Sequence, residues 1–140
     1  MIPVIIIPIL NRYDLLDKAL GSIDYPVKEI LIINNGKTEY KSNIPNVRVL
    51  NMPSNHGIAG SWNLGIKSYP HAPWWLISSA DTSFLPGTLE KFDRLSGSEK
   101  FVKSTAAYSC FSIGEKIVER VGLFDEYIYP AYFEDRKSTR

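Results

Sequence analysis

Short apolar runs alternate with amphipathic stretches along this chain, and turn residues separate them. The first run, residues 4–7, is continuously aliphatic, which is typical of a parallel strand covered on both faces. We expect Pro8 to end that strand, because proline has no N–H to donate to a ladder. Later runs of similar character are residues 29–33, 47–50 and 74–77. Strands that alternate with helices in this way predict an α/β fold.

Apolar residues at helical spacing occupy the segments between these runs. Residues 12–23 repeat leucine, alanine and isoleucine at that spacing, with Asn11 placed to cap the helix and Asp14 in its first turn. A second helix is predicted to carry four apolar side chains on one face: Ile58, Trp62, Ile66 and Tyr69. Gly65 would let this helix approach its neighbour closely.

The remaining elements are shorter, and turn residues set their boundaries. Residues 34–36, Asn-Asn-Gly, suit a turn with positive φ after the second strand. Residues 86–87, Pro-Gly, open a third helix, whose predicted apolar face is Leu89, Phe92 and Leu95. Residues 108–113 predict a strand and residues 115–121 a short helix. Residues 125–133 are aromatic without a clear period, which fits either a substrate-facing loop or a poorly packed chain end.

Composition and charge narrow the class of protein. A chain of 140 residues with 44% hydrophobic content buries one sizeable core, so we expect a single domain. Its 16 basic and 15 acidic residues leave a net charge of +1, which argues against a nucleic-acid partner or an anionic membrane surface.

Cysteine content and hydropathy bear on location. Cys110 is the only cysteine, so no intrachain disulfide forms, and we expect a reducing, cytoplasmic location. The apolar start lacks a basic region and a small-residue cleavage site, so we interpret it as a buried strand rather than a signal peptide. No apolar stretch reaches the roughly 20 residues that span a bilayer, so we expect no transmembrane segment.

The clearest candidate for chemistry is Asp81. It follows the run at residues 74–77 closely and lies at the carboxyl end of a predicted strand, where open α/β sheets bind ligands. A carboxylate there can hold Mg²⁺ or Mn²⁺, since both prefer oxygen ligands. Beside Thr82 and Ser83, the same residue also suits a turn or a helix cap. Taken alone, Asp81 leaves both interpretations open.

Five segments occur in a definite order: VIIIPILNR at 4–12, IINNG at 32–36, NHGIAGSWNLG at 55–65, WWLISSADTSFLPGTL at 74–89 and YFED at 132–135. In this order they resemble the family 2 glycosyltransferases. The resemblance implies the GT-A, nucleotide-diphospho-sugar transferase fold, with a Rossmann-like, mostly parallel sheet flanked by helices. It also implies one domain over residues 1–140, with a nucleotide-sugar-binding half in 1–83 and a shortened acceptor half in 84–140. That short half fits either a minimal enzyme or a chain truncated at its C-terminus.

The resemblance further implies transfer of a sugar from a nucleotide-diphosphate donor to a hydroxyl acceptor on a glycan or glycoconjugate, with inversion. Negative charge builds on the departing diphosphate, and a divalent metal, Mn²⁺ or Mg²⁺, usually neutralises it. In the family this segment reads Asp-x-Asp, and the matching triplet here is Ser79-Ala80-Asp81. Asp81 therefore matches the metal ligand. Ser79 replaces the first carboxylate and can hydrogen-bond a ribose without charge.

The resemblance places the donor contacts at ten positions: Pro8, Asn11, Arg12, Asn34, Asn35, Gly57, Gly60, Asn63, Ser79 and Asp81. The N-terminus of the helix after Gly57 would favour the diphosphate. Simpler interpretations stay open beside these: Asn11 as a helix cap, Arg12 as a solvated charge and residues 34–36 as a plain turn. His56 fits polar surface better than a ligand contact, and Trp62 fits the core better than a sugar platform.

On the acceptor side, Glu134 and Asp135 resemble the acidic pair that ends this half in many relatives. Asp135 is the first candidate for the general base that takes the acceptor's proton, and Glu134 is the second. The same residues also fit a solvated, charged tail.

Two other functions stay open. A degenerate GT-A domain would bind nucleotide or glycan without turnover, as the loss of a carboxylate at Ser79 would allow. A sugar nucleotidyltransferase is the less favoured alternative, because residues 8–12 lack the glycine-rich loop typical of those enzymes. A homodimer could cover the aromatic C-terminal segment.

Overall fold

The computed structural model describes residues 1–80, 83–104 and 110–122. Along these residues the elements are β1 (Ile2–Ile9), α1 (Tyr13–Gly21), β2 (Val27–Asn34), β3 (Val47–Asn51), α2 (Gly57–Ser68), β4 (Trp74–Ser78), α3 (Thr88–Leu95), β5 (Phe101–Lys103), β6 (Cys110–Gly114) and α4 (Glu115–Val121). Every helix and strand predicted within the described residues is present, and β5 is an additional strand that the sequence pattern did not predict.

One sheet contains all six of these strands in the order β3-β2-β1-β4-β6-β5. β1 pairs in parallel with β2 and β4, and β2 pairs in parallel with β3. β6 runs antiparallel to both β4 and β5. The predicted α/β fold with a mostly parallel sheet is therefore confirmed.

The hydrophobic core lies on both faces of the sheet. Ile5 and Ile7 of β1 belong to the cluster that also contains Leu16 of α1. Val4 and Ile6 belong to the opposite cluster, with Trp62 of α2. Successive side chains of a strand point to opposite faces, so β1 needs aliphatic residues at every position. This explains the continuous run at residues 4–7.

Pro8 does not end β1, which corrects our expectation. The strand continues to Ile9, and Pro8 lies in register with Ile33 of β2. Ile9 turns its carbonyl toward β2, where it accepts from the Asn35 N–H at 2.9 Å. By alternation the backbone of Pro8 faces β4, where pairing stops at Ile6 and Ile77. The missing N–H therefore costs no ladder hydrogen bond.

Two predicted local features are also wrong. Arg12, and not Asn11, occupies the N-cap of α1, and no side-chain hydrogen bond caps that helix. Residues 34–36 have no positive φ, whereas Asn11 has a φ of 64°. The Asn11 side chain does not cap the helix because its oxygen accepts the backbone N–H of Lys37 instead.

The helix faces agree with the prediction except at their edges. Trp62 is buried and packs edge-to-face on Phe111 of β6, with ring centroids 5.2 Å apart. A Cβ on Gly65 would lie 2.6 Å from Ile6 Cγ2, which confirms the predicted close approach. Ile58 and Leu95, however, are 44% and 43% exposed, because each lies at the border of its helix's buried stripe.

Candidate donor site

The carboxyl ends of the parallel strands meet at one edge of the sheet. β1 and β2 pair from Ile2 to Ile9, whereas β1 pairs with β4 only at Ile5 and Ile6. The chain order also reverses at β1, since β2 lies on one side of it and β4 on the other. Such a switch point opens a crevice beyond the strand ends, which is where α/β proteins bind ligands. Pro8 borders this opening.

The loop between β1 and α1 is held against the residues that follow β2. Asn11 Oδ1 accepts the backbone N–H of Lys37 at 3.0 Å, which explains why this residue adopts a left-handed φ. A Cβ on Gly36 would lie 2.5 Å from the Tyr13 hydroxyl and 3.0 Å from the Asn11 backbone nitrogen. Glycine at position 36 is therefore favoured by this close approach and not by a positive φ.

Asn34, at the end of β2, is buried and joins three segments. Its Nδ2 donates to the Thr38 carbonyl at 2.8 Å and to Asn51 Oδ1 at 2.8 Å. Its Oδ1 accepts the Gly36 N–H at 2.9 Å and lies 3.1 Å from the Tyr13 hydroxyl, whose single proton also reaches the Thr38 carbonyl at 2.7 Å. Both amide N–H groups and at least one oxygen lone pair are thus used within the protein. Ligand contact by Asn34 stays a prediction, beside this structural role.

Asn35 is also buried and contacts a different helix. Its Oδ1 accepts the His56 N–H at 3.0 Å, and its Nδ2 donates to Ser61 Oγ at 2.8 Å. The start of α2 is therefore attached to the end of β2 through one side chain.

α2 begins at Gly57, which has a φ of 74°. Asn55 Oδ1 accepts the Gly57 N–H at 2.9 Å. Gly60 and Asn63, predicted donor contacts further along the helix, are buried. His56 is exposed, and its ring Nδ1 lies 2.8 Å from the Ser54 carbonyl, as expected for a polar surface residue.

Arg12 forms an ion pair with Asp14 at the carboxyl edge. Its Nε and Nη2 donate to the two carboxylate oxygens, each at 3.2 Å. The hydrogen bond from Arg12 lowers the pKa of Asp14, and the same bond raises the pKa of Arg12. Both side chains are more than 60% exposed, so the pair contributes little to stability. Arg12 is a solvated cation in this structure, within the loop that borders the crevice.

The acidic residues of the predicted chemistry are not among those that the structure describes. Ser79 follows β4 and is half-buried, while Asp81, Glu134 and Asp135 lie outside the described residues. Within the described ranges, no three His, Cys, Asp or Glu side chains are grouped so as to hold a metal ion. In the same part of the chain, no helix has the length and apolarity needed to cross a membrane.

Sequence reasoning missed three residues that shape this edge: Tyr13, Asn51 and Ser61. Each is a hydrogen-bond partner of Asn34 or Asn35. Ser61 lies one helical turn after Gly57 and could have been placed on the strand-facing side of α2 by that spacing. Tyr13 and Asn51 carry no comparable signal.

The family model described as glycosyl transferase family 2 matches residues 4–100. This chain belongs to that family. A galactofuranosyl glycosyltransferase of Leishmania donovani is 26% identical over an alignment of 109 residues, and the match covers 65% of this chain and 25% of that protein. The chain thus spans a quarter of the length of that curated relative.

Solved structures of similar fold show the same architecture. A mannosyltransferase, PcManGT from Pyrobaculum calidifontis in complex with GDP-Man and Mn²⁺, has a TM-score of 0.72 at 14% identity, over 89% of this chain and 48% of its own. TarS 1–349 from S. aureus has a TM-score of 0.72 at 16% identity, over 99% of this chain and 55% of its own. The GT-A fold of this family 2 domain is thereby confirmed.

Proposed function

We propose that this family 2 domain transfers a sugar from a nucleotide-diphosphate donor to a hydroxyl group of a glycan or glycoconjugate. The observation that carries the proposal is the topological switch point between β1 and β4, where Asn11 bonds the β1–α1 loop to Lys37 and Asn35 bonds the end of β2 to the start of α2. Similar structures contain such ligands: GDP-Man in PcManGT, and UDP or UDP-GlcNAc in TarS.

The donor would lie along the carboxyl edge. Residues 8–12 and the ends of β2 and β4 would surround the nucleoside, with Ser79 offering a neutral hydroxyl to the ribose. The N-terminus of α2 and the cation of Arg12 would favour the diphosphate. Gly57, Gly60 and Asn63 would shape the α2 side of the site.

Asp81 would hold the divalent metal, Mn²⁺ or Mg²⁺. The metal would supply positive charge to the diphosphate as it departs. Asp81 comes three residues after Ser78, where β4 ends, so its position in the chain suits this role. Both the ligand and the choice of metal belong to the proposal.

Asp135, or Glu134 as the second candidate, would act as general base. The acceptor oxygen attacks the anomeric carbon as the bond from that carbon to the diphosphate breaks, and the acceptor's proton passes to the carboxylate. Attack opposite the leaving group inverts the configuration. The division at residue 83, the cytoplasmic location and the homodimer stay predictions.

A second function is favoured by Ser79, which stands where the family has its first carboxylate. A domain that binds the donor without turnover would need less charge at this position. Donor hydrolysis separates the two functions, because only a transferase releases nucleoside diphosphate from the sugar nucleotide.

The test is calorimetric titration of UDP, GDP, dTDP and CMP into the chain, with and without Mn²⁺. We expect Mn²⁺-dependent binding of one diphosphate, and its loss in Asp81→Ala. Asp24→Ala is the matched control, since Asp24 precedes β2 and lies at the opposite edge of the sheet. Equal binding by Asp81→Ala and the unchanged chain would refute the metal role.

A companion measurement follows release of the diphosphate from its sugar nucleotide. Asp135→Asn is expected to keep donor affinity and to lose turnover. Full turnover in both Asp135→Asn and Glu134→Gln would show that the assigned base is wrong. Donor binding by the unchanged chain without any release would favour the binding domain.

A further inference from the structure

Asn35 connects two sides of the candidate donor site. Its backbone N–H donates to the carbonyl of Ile9, the last residue of β1, at 2.9 Å. Its side-chain oxygen accepts the N–H of His56, the N-cap residue of α2, at 3.0 Å. A single residue therefore fixes the distance between the β1 end of the crevice and the start of α2.

A second hydrogen bond extends this connection into the helix. Asn35 Nδ2 donates to Ser61 Oγ at 2.8 Å, and the Ser61 hydroxyl donates to the Gly57 carbonyl at 2.8 Å. Gly57 has a positive φ, and glycine is conformationally permissive. The hydrogen bond from Ser61 therefore helps to fix the direction of the Gly57 carbonyl. Asn35 and Ser61 together hold the first turn of α2 at both its start and its inner side.

The burial of Asn35 bears on what its side chain contacts. Only 8% of the residue is exposed, and its amide already bonds to α2. The neighbouring Asn34 is 1% exposed, donates both of its amide N–H groups within the protein and accepts the Gly36 N–H with its side-chain oxygen. At this strand end the amides therefore point into the protein, which favours a role in shaping the site over one in contacting a nucleobase.

We propose that Asn35 is a positioning residue of the donor site, which sets the affinity for every nucleoside diphosphate equally and does not discriminate between bases. The inference rests on the proposed function. In this proposal Asn35 affects the donor indirectly, by fixing the distance between β1 and α2. The family resemblance instead implies that Asn35 contacts the base or the ribose directly. Discrimination between bases would then come from other parts of the edge, including the main chain of residues 8–12.

The test compares three single variants with the unchanged chain. Asn35→Ala removes both side-chain bonds to α2, and Ser61→Ala removes one while keeping the bond from His56. Asn46→Ala is the matched control, because its Nδ2 donates to the Val27 carbonyl at 2.9 Å, at the amino end of β2 and away from the site. Dissociation constants for UDP, GDP and dTDP with Mn²⁺, and the urea midpoint, are measured for each.

We expect Asn35→Ala to weaken every diphosphate that binds by the same factor, roughly tenfold, as befits the loss of one or two hydrogen bonds. Ser61→Ala should weaken them by a smaller common factor. The double variant should weaken binding by less than the product of the two single factors, because the bond between Asn35 and Ser61 is lost in both single variants. Asn46→Ala should lower the urea midpoint without changing any affinity.

Three results would overturn the inference. Unequal factors for UDP and GDP would mean that Asn35 contacts the base. A lower urea midpoint with unchanged affinities would mean that its role is in folding alone. No binding of any probe by the unchanged chain would refute the proposed function, and this inference with it. If Asn35→Ala does not fold, Ser61→Ala and its control still decide between the first two results.

Discussion

The parallel strands β3-β2-β1-β4 and the antiparallel pair β6-β5 are stabilised differently. β1 and β2 each have eight residues, and β1 is aliphatic on both faces. β6 has five residues and β5 three, and β6 carries the buried Ser112 in its middle. β1 contributes side chains to the core on both faces of the sheet, and β6 shares one of those core clusters through Phe111 and Ile113. The antiparallel pair adds a close backbone contact at Gly114 and a hydroxyl pair at Ser112.

The ends of the two regions differ as well. At the carboxyl edge of the parallel strands, Asn34 and Asn35 bond to segments far away in the chain. In β6 the comparable polar contact is the Ser96–Ser112 hydroxyl pair, 2.6 Å apart. A long aliphatic core leaves the strand ends available for an organised polar edge, and this is where the candidate site lies.

The largest expected effect comes from glycines in the two regions. A Cβ on Gly114 of β6 would overlap the backbone carbonyl oxygens of Gly97 and Ser98, and backbone cannot move aside locally. We expect Gly114→Ala to lower the free energy of unfolding by about 3 kcal/mol or more. Gly65→Ala would meet only the Ile6 side chain, and we expect a loss of about 1 kcal/mol after the gain in helix propensity.

Urea denaturation of both variants measures these losses. Gly21→Ala is the matched control, because a Cβ there would meet nothing within 4 Å, and it should leave stability unchanged or raise it by up to about 1 kcal/mol. A larger loss for Gly65→Ala than for Gly114→Ala would contradict the contrast between side-chain packing and backbone contact.

Substitutions of the buried polar residues Asn34 and Ser112 are expected to have an effect of intermediate size on the free energy of unfolding. Asn34→Asp keeps the shape of the side chain but removes the two N–H groups that bond Thr38 and Asn51. We expect a loss of about 2 kcal/mol, since the Thr38 carbonyl and Asn51 Oδ1 each lose one of two donors and then face a carboxylate. Ser112→Ala breaks only the hydroxyl pair with Ser96, and the expected loss is about 1 kcal/mol. Equal losses of unfolding free energy for the two variants in urea denaturation would show that the polar contacts at the edge of the parallel strands contribute no more than the Ser96–Ser112 pair.

The smallest expected effect is a change in how stability falls at alkaline pH. One titrating group, Tyr40, lies between the parallel strands β2 and β3, and the other, Cys110, lies in β6. Burial first, and then the hydrogen bond to Asp17, raises the pKa of Tyr40 from 10.0 to about 12. Burial likewise raises the pKa of Cys110 in β6 from 9.0 to about 12. The folded chain keeps these protons after the unfolded chain has released them. Stability from both groups is therefore complete below the unfolded pKa and is lost as pH rises toward 12.

Tyr40→Phe and Cys110→Ala each remove one of these titrations. With Tyr40→Phe the fall in stability between pH 10 and 12 should be shallower, and with Cys110→Ala the fall should be shallower from pH 9 onward. Urea midpoints at pH 8.5 and 11.5 are the measurement. A steeper fall in either variant would reverse the sign worked out here.

Particular residues show which features of the fold the sequence patterns predicted and which they did not. The aliphatic runs predicted the parallel strands, and Gly65 predicted the contact with Ile6, because both depend on the residue type alone. Pro8 was misjudged because its effect depends on which neighbour its backbone faces. β5 was missed because it has three residues and pairs with β6, a later strand. The acidic residues Asp81, Glu134 and Asp135 stay predictions.

Fold class and family followed from the residues alone, since continuous aliphatic runs are typical of covered strands and five segments occur in the family's order. The roles of Asn34 and Asn35, in contrast, are visible only in the folded chain. Their partners lie as far as 26 residues away, so no local pattern encodes those hydrogen bonds. The same Asn-Asn-Gly residues would form a plain turn elsewhere. Here the neighbouring strand and two helix starts supply the donors and acceptors that make them the connecting point of the candidate site.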